Sequence, residues 1–144
     1  ALARTGAEAD SVAAFEGVLK DAPGHLGASY NLARALIRAG RAEEGRARME
    51  SFKTASVNES RLRALNADVK RNPMVLQSRL DLAEALMTAG PAAAAIPHLM
   101  QAREIDPYRS ETYRLLARAL KSAGRHEDAA RATAAAEQIE KSKK

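Results

Sequence analysis

Cysteine and tryptophan are absent, and two phenylalanines with three tyrosines make up the aromatic complement. Without cysteine there is no disulfide framework and no thiolate chemistry, which leaves cytoplasmic and periplasmic addresses equally open. At 144 residues the chain has the length of one ordinary domain, and with so few aromatics its core must rest on leucine and alanine. Long apolar runs are missing too. The longest candidate, around 83–100, is broken by Glu84, Gly90, Pro91, Pro97 and His98, so it cannot span a bilayer and no membrane partner is expected. Val and Ile are scarce and no stretch alternates with period two, which argues against strands. Charge of one sign does not dominate either. Lys and Arg number 23 against 18 Asp and Glu, interleaved along the chain. A spread surplus of this kind describes a solvated surface better than a nucleic-acid footprint.

What is present is helical. Ala, Leu, Arg, Glu and Lys fill most windows and are strong helix formers. Their abundance, Ala and Arg above all, points to a bacterial gene rich in GC. Gly6, Gly40, Gly90 and Gly124 each follow an apolar-periodic stretch, where a glycine in the left-handed conformation can end a helix. Pro23, Pro73 and Pro107 each precede a new stretch, where a missing N–H costs least. The punctuation predicts helices over about 8–21, 25–39, 42–55, 74–88, 92–105, 109–123 and 126–141.

One pattern recurs. NLARALIRAG at 31–40 returns as DLAEALMTAG at 81–90 and LLARALKSAG at 115–124. Aligning the copies puts Leu32, Leu82 and Leu116 in one slot, Ala33, Ala83 and Ala117 in the next, and Leu36, Leu86 and Leu120 three further on. Past the glycine, Gly45, Ala95 and Ala129 form a second small-residue slot, followed by Met49, Leu99 and Thr133, then Phe52, Ala102 and Ala136. Large side chains at this spacing line one helical face, and small ones at fixed slots let two helices approach closely.

This spacing resembles the tetratricopeptide repeat (TPR), a 34-residue helix–turn–helix with the pattern W-x2-L-G-x2-Y…A-x3-F…P. The copies read Ser29-x2-Leu32-Ala33-x2-Leu36 with Gly45-x3-Met49, then Arg79-x2-Leu82-Ala83-x2-Leu86 with Ala95-x3-Leu99 and Pro107, then Tyr113-x2-Leu116-Ala117-x2-Leu120 with Ala129-x3-Thr133. No copy holds the Trp, and alanine replaces the glycine. The resemblance implies an all-α fold, a right-handed superhelical solenoid of antiparallel helix pairs.

In that frame residues 1–141 are expected to form one TPR domain, with a basic tail at 142–144. Residues 1–23 match the second half of a repeat, through Leu2, Gly6, Ser11, Phe15, Val18 and Pro23. Residues 24–72 form an extended repeat, 73–107 a regular one and 108–141 a terminal one, whose last helix is polar and rich in alanine. Because the chain opens ALARTG without Met, further repeats are expected upstream. Val12, Phe15 and Val18 would then have lost a partner helix, and association with a second copy is expected through that edge.

The prolines locate an irregularity. Pro73 and Pro107 lie 34 residues apart, but Pro23 and Pro73 lie 50 apart, an excess of 16. Phe52, Ala55, Leu62, Leu65 and Val69 fit one continuous face, favouring a single long helix over 42–71. The competing outcome is a break at Thr54–Asn58, with Ser56 and Glu59 as a capping box. Leu62, Leu65 and Val69 need burial, by neighbouring repeats or as a second interface. Pro97 predicts a mild kink, or a helix that begins nearer Ala94.

No chemistry stands out. His25, His98 and His126 are isolated, and HEDAA at 126–130 lacks the second His of a helical zinc motif. Nothing in the chain resembles a phosphate loop. No catalytic, cofactor or metal residues are assigned, and no enzyme is expected.

The resemblance implies binding instead, along a concave groove lined by the first helix of each repeat. The corresponding stripes are Tyr30, Arg34 and Ile37; Leu80, Glu84 and Met87; and Arg114, Arg118 and Lys121. The last is wholly basic and suits an acidic peptide or a C-terminal carboxylate. Some relatives clamp the C-terminal carboxylate of heat-shock chaperones with a Lys/Asn/Asn/Lys/Arg set. The matching slots here hold Tyr30, Arg34, Asp81, Glu111 and Leu115, which do not fit. Two alternatives remain: an array whose faces serve self-association, and a nucleic-acid adaptor through the basic groove, for which only Tyr30 is placed as an aromatic platform.

Overall fold

The computed structural model describes residues 2–144, and of Leu2 the backbone only. The start of the half repeat expected at 1–23, Ala1 and the Leu2 side chain, therefore lies outside the described residues. Among these there are seven α-helices and no strand: α1 (Leu2–Asp21), α2 (Leu26–Arg38), α3 (Ala42–Arg71), α4 (Leu76–Ala89), α5 (Ile96–Ile105), α6 (Ser110–Ser122) and α7 (His126–Ser142), with a 3-10 turn at Ala92–Ala95 before α5. No described helix is long and apolar enough to cross a membrane. The chain divides into two compact units, one ending at Val57 and one spanning Asn58–Lys144. Residues 42–57 of α3 belong to the first and residues 58–71 to the second. The helix runs unbroken, so the separation at Thr54–Asn58 does not occur.

In the first unit α1 packs on α2 around Val12, Leu32, Ala35 and Leu36, with Phe15, Leu19 and Ala39 against them. Val12 and Phe15 are thus engaged, and Val18, 42% exposed, is what remains open of the apolar edge expected there. Gly6 lies inside α1, because the residues on both sides of it continue the helix. His25 caps α2, its Nδ1 accepting from the Ala28 N–H at 3.0 Å. Gly45 shows why its slot stays small. A Cβ there would lie 2.6 Å from Ile37 Cγ1 and 2.8 Å from the Ala33 carbonyl oxygen.

In the second unit the antiparallel pairs α4–α5 and α6–α7 share one core. Leu80, Ile96, Leu99, Leu115, Leu116 and Leu120 supply its bulk. Ala83, Ala95 and Ala129 from the small slots are buried with them. Val69 is buried and Leu62 and Leu65 are half-buried, which leaves little free apolar surface for the second interface considered there.

The prolines build the junctions. Ala22–His25, Asn72–Val75 and Asp106–Arg109 are β-turns closed by i→i+3 hydrogen bonds, with Pro23, Pro73 and Pro107 at the second position, where a fixed φ is already correct. The slot where the family pattern carries Trp has a local task here. Arg79 Nε donates to the Pro73 carbonyl and Tyr113 Oη to the Pro107 carbonyl, both at 2.9 Å.

Two of the predicted glycine stops have the left-handed form. Gly40 has φ +84° and Gly124 φ +77°. Each sits in a Schellman motif, with Arg41 N–H bonding to the Leu36 carbonyl and Arg125 N–H to that of Leu120, both at 2.9 Å. Gly90 instead is extended, with φ −148° and ψ −165°. The residue that would donate the closing bond is Pro91, which has no N–H, and a residue before proline avoids the helical region. The 3-10 turn follows, so α5 begins at Ile96 and Pro97 sits in its first turn, where it breaks no helical bond.

Candidate functional site

The stripes expected to line a groove lie on α2, α4 and α6. On α2, in the first unit, Tyr30, Arg34 and Ile37 are all exposed while Leu32, Ala33, Ala35 and Leu36 are buried. Tyr30 is not a free aromatic platform. Its ring lies 5.3 Å from that of Phe52, and the Arg34 guanidinium sits 5.6 Å from its centroid, a cation–π arrangement.

In the second unit α4 and α6 pack beside each other. On α4, Glu84 is exposed and Met87 half-buried, but Leu80 is 1% exposed and belongs to the core. It is removed from the groove set. An aliphatic side chain that can join the shared core gains more from burial than from water. On α6, Arg114, Arg118 and Lys121 are all exposed. They are not equivalent. Arg114 donates to both carboxylate oxygens of Glu140 on α7 at 2.5–2.9 Å. These hydrogen bonds, more than the charge, hold the Glu140 carboxyl below the usual carboxylate range and raise Arg114 above the usual arginine value. Arg118 and Lys121 make no such pair among the described residues. From Arg71 to the C-terminus, Arg118 is the one arginine with neither an ion pair nor a side-chain hydrogen bond among those residues.

A cleft of about 340 Å³ lies elsewhere in this unit, between α5, α6 and α7. Ile96, Leu116 and Leu120 line it together with Arg103, Arg125, Arg131 and a single carboxylate, Asp128. The expectation built on first helices missed it. The available signal was Ile96, Met100 and Arg103, spaced four and three on a second helix like the stripes above. Among the described residues, His98 Nδ1 and Thr112 Oγ1 are enclosed without hydrogen-bond partners. Burial first, and then the charge of Arg79, hold the His98 imidazole below its ordinary 6.5.

The family profile described as Tetratricopeptide repeat matches residues 2–69, just under half of the chain. That described as Bacterial transcriptional activator domain matches residues 52–139, more than half. This chain is a tetratricopeptide-repeat protein of the bacterial transcriptional activator domain family. Repeats of this class are protein-interaction scaffolds and generally not catalysts. Among solved structures the TPR chain is similar to a crystal structure of MamA, with a TM-score of 0.57 at 17% identity, covering 92% of this chain and 88% of that one. It is similar to MamA AMB-1, with a TM-score of 0.57 at 21% identity over 97% and 94%. A third similar structure is MamA from residue 41 to its end, from Desulfovibrio magneticus RS-1, with a TM-score of 0.54 at 22% identity over 98% and 71%. At these identities the likeness is one of fold, the TPR-type helical solenoid. No curated protein matches the TPR chain.

Proposed function

We propose that this chain is a non-catalytic interaction module that grips a peptide or protein segment on the outward face of its first helices, with Arg118 and Lys121 receiving an acidic group. Arg118 carries the proposal. Every other arginine from Arg71 onward has a side-chain partner, whereas this guanidinium is exposed and unpaired, four residues from one cation and three from another on the same helical face. An incoming carboxylate can take it through two parallel hydrogen bonds without displacing an acid of the chain itself. Glu84 and Met87 on the adjacent α4 add a carboxylate and an apolar contact. Tyr30, Arg34 and Ile37 offer a comparable exposed stripe in the first unit. Arg114 is committed to Glu140, so its part is to hold α7 rather than to bind.

The test is an array of acidic and neutral peptides probed with the chain and with Arg118→Glu/Lys121→Glu. Binding of the acidic members is expected to fall about ten-fold or more, the worth of one charge-assisted contact. Unchanged capture would remove this face from consideration. A labelled single-stranded oligonucleotide serves as control, and salt-sensitive binding of it in preference to the peptides would turn the assignment toward nucleic acid.

A further inference from the structure

The cleft between α5, α6 and α7 uses none of the residues of the α6 face and poses a separate question. Part of its lining is aliphatic, and Met100 in that lining is 44% exposed. Its cations come from two elements: Arg103 from α5, and Arg125 and Arg131 at and on α7. Three guanidinium groups face one lining carboxylate. Asp128 is shared by Arg125 at 2.8 Å and Arg131 at 3.4 Å, while Arg103 has only Glu104 nearby, at 3.6 Å and outside the cleft. A carboxylate divided between two arginines leaves both with unused donors. At about 340 Å³ the cleft is within the range of about 300–1,000 Å³ that suits a bound side-chain cluster or small ligand.

We infer that this cleft docks an acidic amphipathic segment of a protein partner, with an apolar ridge entering between α5 and α7 and carboxylates on both flanks meeting Arg103, Arg125 and Arg131. The arrangement of charge selects the occupant. A single patch of cations would suit any anion, but cations contributed by two different helices beside an aliphatic lining call for apolar residues bordered by acids. One turn of helix with apolar residues four apart, and Glu or Asp beside them, has that cross-section. Single-stranded nucleic acid fits less well, because Tyr113 is the one ring lining the cleft and its hydroxyl is held by the Pro107 carbonyl.

The probe is a fluorescein-labelled helical peptide with leucines on one ridge and glutamates beside them, titrated with the whole chain and followed by anisotropy. Its counterpart carries lysine in place of glutamate. The acidic peptide is expected to bind and the basic one not. Ala135→Leu, which narrows the cleft from α7, and Arg103→Gln/Arg131→Gln are each expected to weaken binding about ten-fold or more. Arg61→Glu/Lys70→Glu, exposed on α3 and outside the cleft lining, is expected to leave it unchanged. Methyl shifts of Ile96 and Met100 are expected to move on titration. If Ala135→Leu fails to fold by circular dichroism, the exposed charge variant decides alone. Failure of the acidic peptide to bind, equal binding of the lysine peptide, indifference to the Arg103/Arg131 change, or an equal loss of binding through Arg61 and Lys70 would each overturn the inference.

Discussion

The hairpins α4–α5 and α6–α7 occupy the same slots of one repeat and sit in one core, yet they are held by different means. The second has an orderly turn: Gly124 is left-handed, Arg125 closes a Schellman motif, and its side chain pairs with Asp128 in the first turn of α7. Its packing is slight, since the buried residues of α7 are Ala129, Ala132 and Ala136. The first has a turn without that closure, an extended Gly90 followed by Pro91 and a 3-10 segment. Its packing is heavier, with Ile96, Leu99 and Ala102 buried on α5. Turn chemistry and side-chain burial therefore exchange places between two hairpins that look alike in sequence. A repeat does not need every local signal, provided enough of the others agree.

The sharpest test uses the shared large slot. Leu99→Ala should destabilise the protein by about 2–5 kcal/mol through lost burial and a cavity, whereas Thr133→Ala should stay within about 0.5 kcal/mol. Urea unfolding of both variants measures the difference, and similar losses would show that the slots bear equal weight. Next come the glycines. Gly124→Ala forces a side chain into the left-handed region and should cost about 1–2 kcal/mol. Gly90→Ala should instead stabilise by about 0.4–1 kcal/mol, because its backbone suits alanine and the added Cβ, 3.6 Å from the Leu86 carbonyl oxygen, meets only ordinary contact. In a Pro91→Arg background the closing N–H returns, and Gly90→Ala should then become costly like its counterpart. An unchanged gain there would mean that proline is not what straightens Gly90.

The smallest effect is a pH slope. The unfolded chain takes up the His98 proton near 6.5, while the folded chain stays neutral to lower pH. The unfolded state therefore binds more protons, and stability is lost as pH falls through the window below 6.5. His98→Leu should flatten that part of the profile. An unaltered slope after removal of His98 would place the titration elsewhere.

Most internal helix edges were legible because glycine or proline stands near them, though α1 begins at Leu2 rather than 8 and α5 at Ile96 rather than 92. The long α3 was legible because Phe52, Leu62, Leu65 and Val69 keep one face through the insert. Gly90 was not, because its fate depends on an N–H that the following residue lacks. Gly6 failed for the opposite reason, since nothing after it interrupts the helix. At the candidate face Arg118 and Lys121 are exposed on α6, whereas Leu80 is buried, because slots inherited from a family pattern say where a side chain begins and not what covers it. The Arg114–Glu140 pair spans 26 residues and two helices, a relation that local spacing does not encode. Nor does local spacing show that second-helix residues around Ile96 and Asp128 enclose a cleft.

The alanine face of α7 has a consequence in time as well as in energy. A helix that buries only methyl groups is loosely moored, so in hydrogen exchange its amides should surrender protection before those of α4 or α6. Equal protection of α7 and α6 would show that methyl groups alone hold this helix as firmly as leucines hold its neighbour.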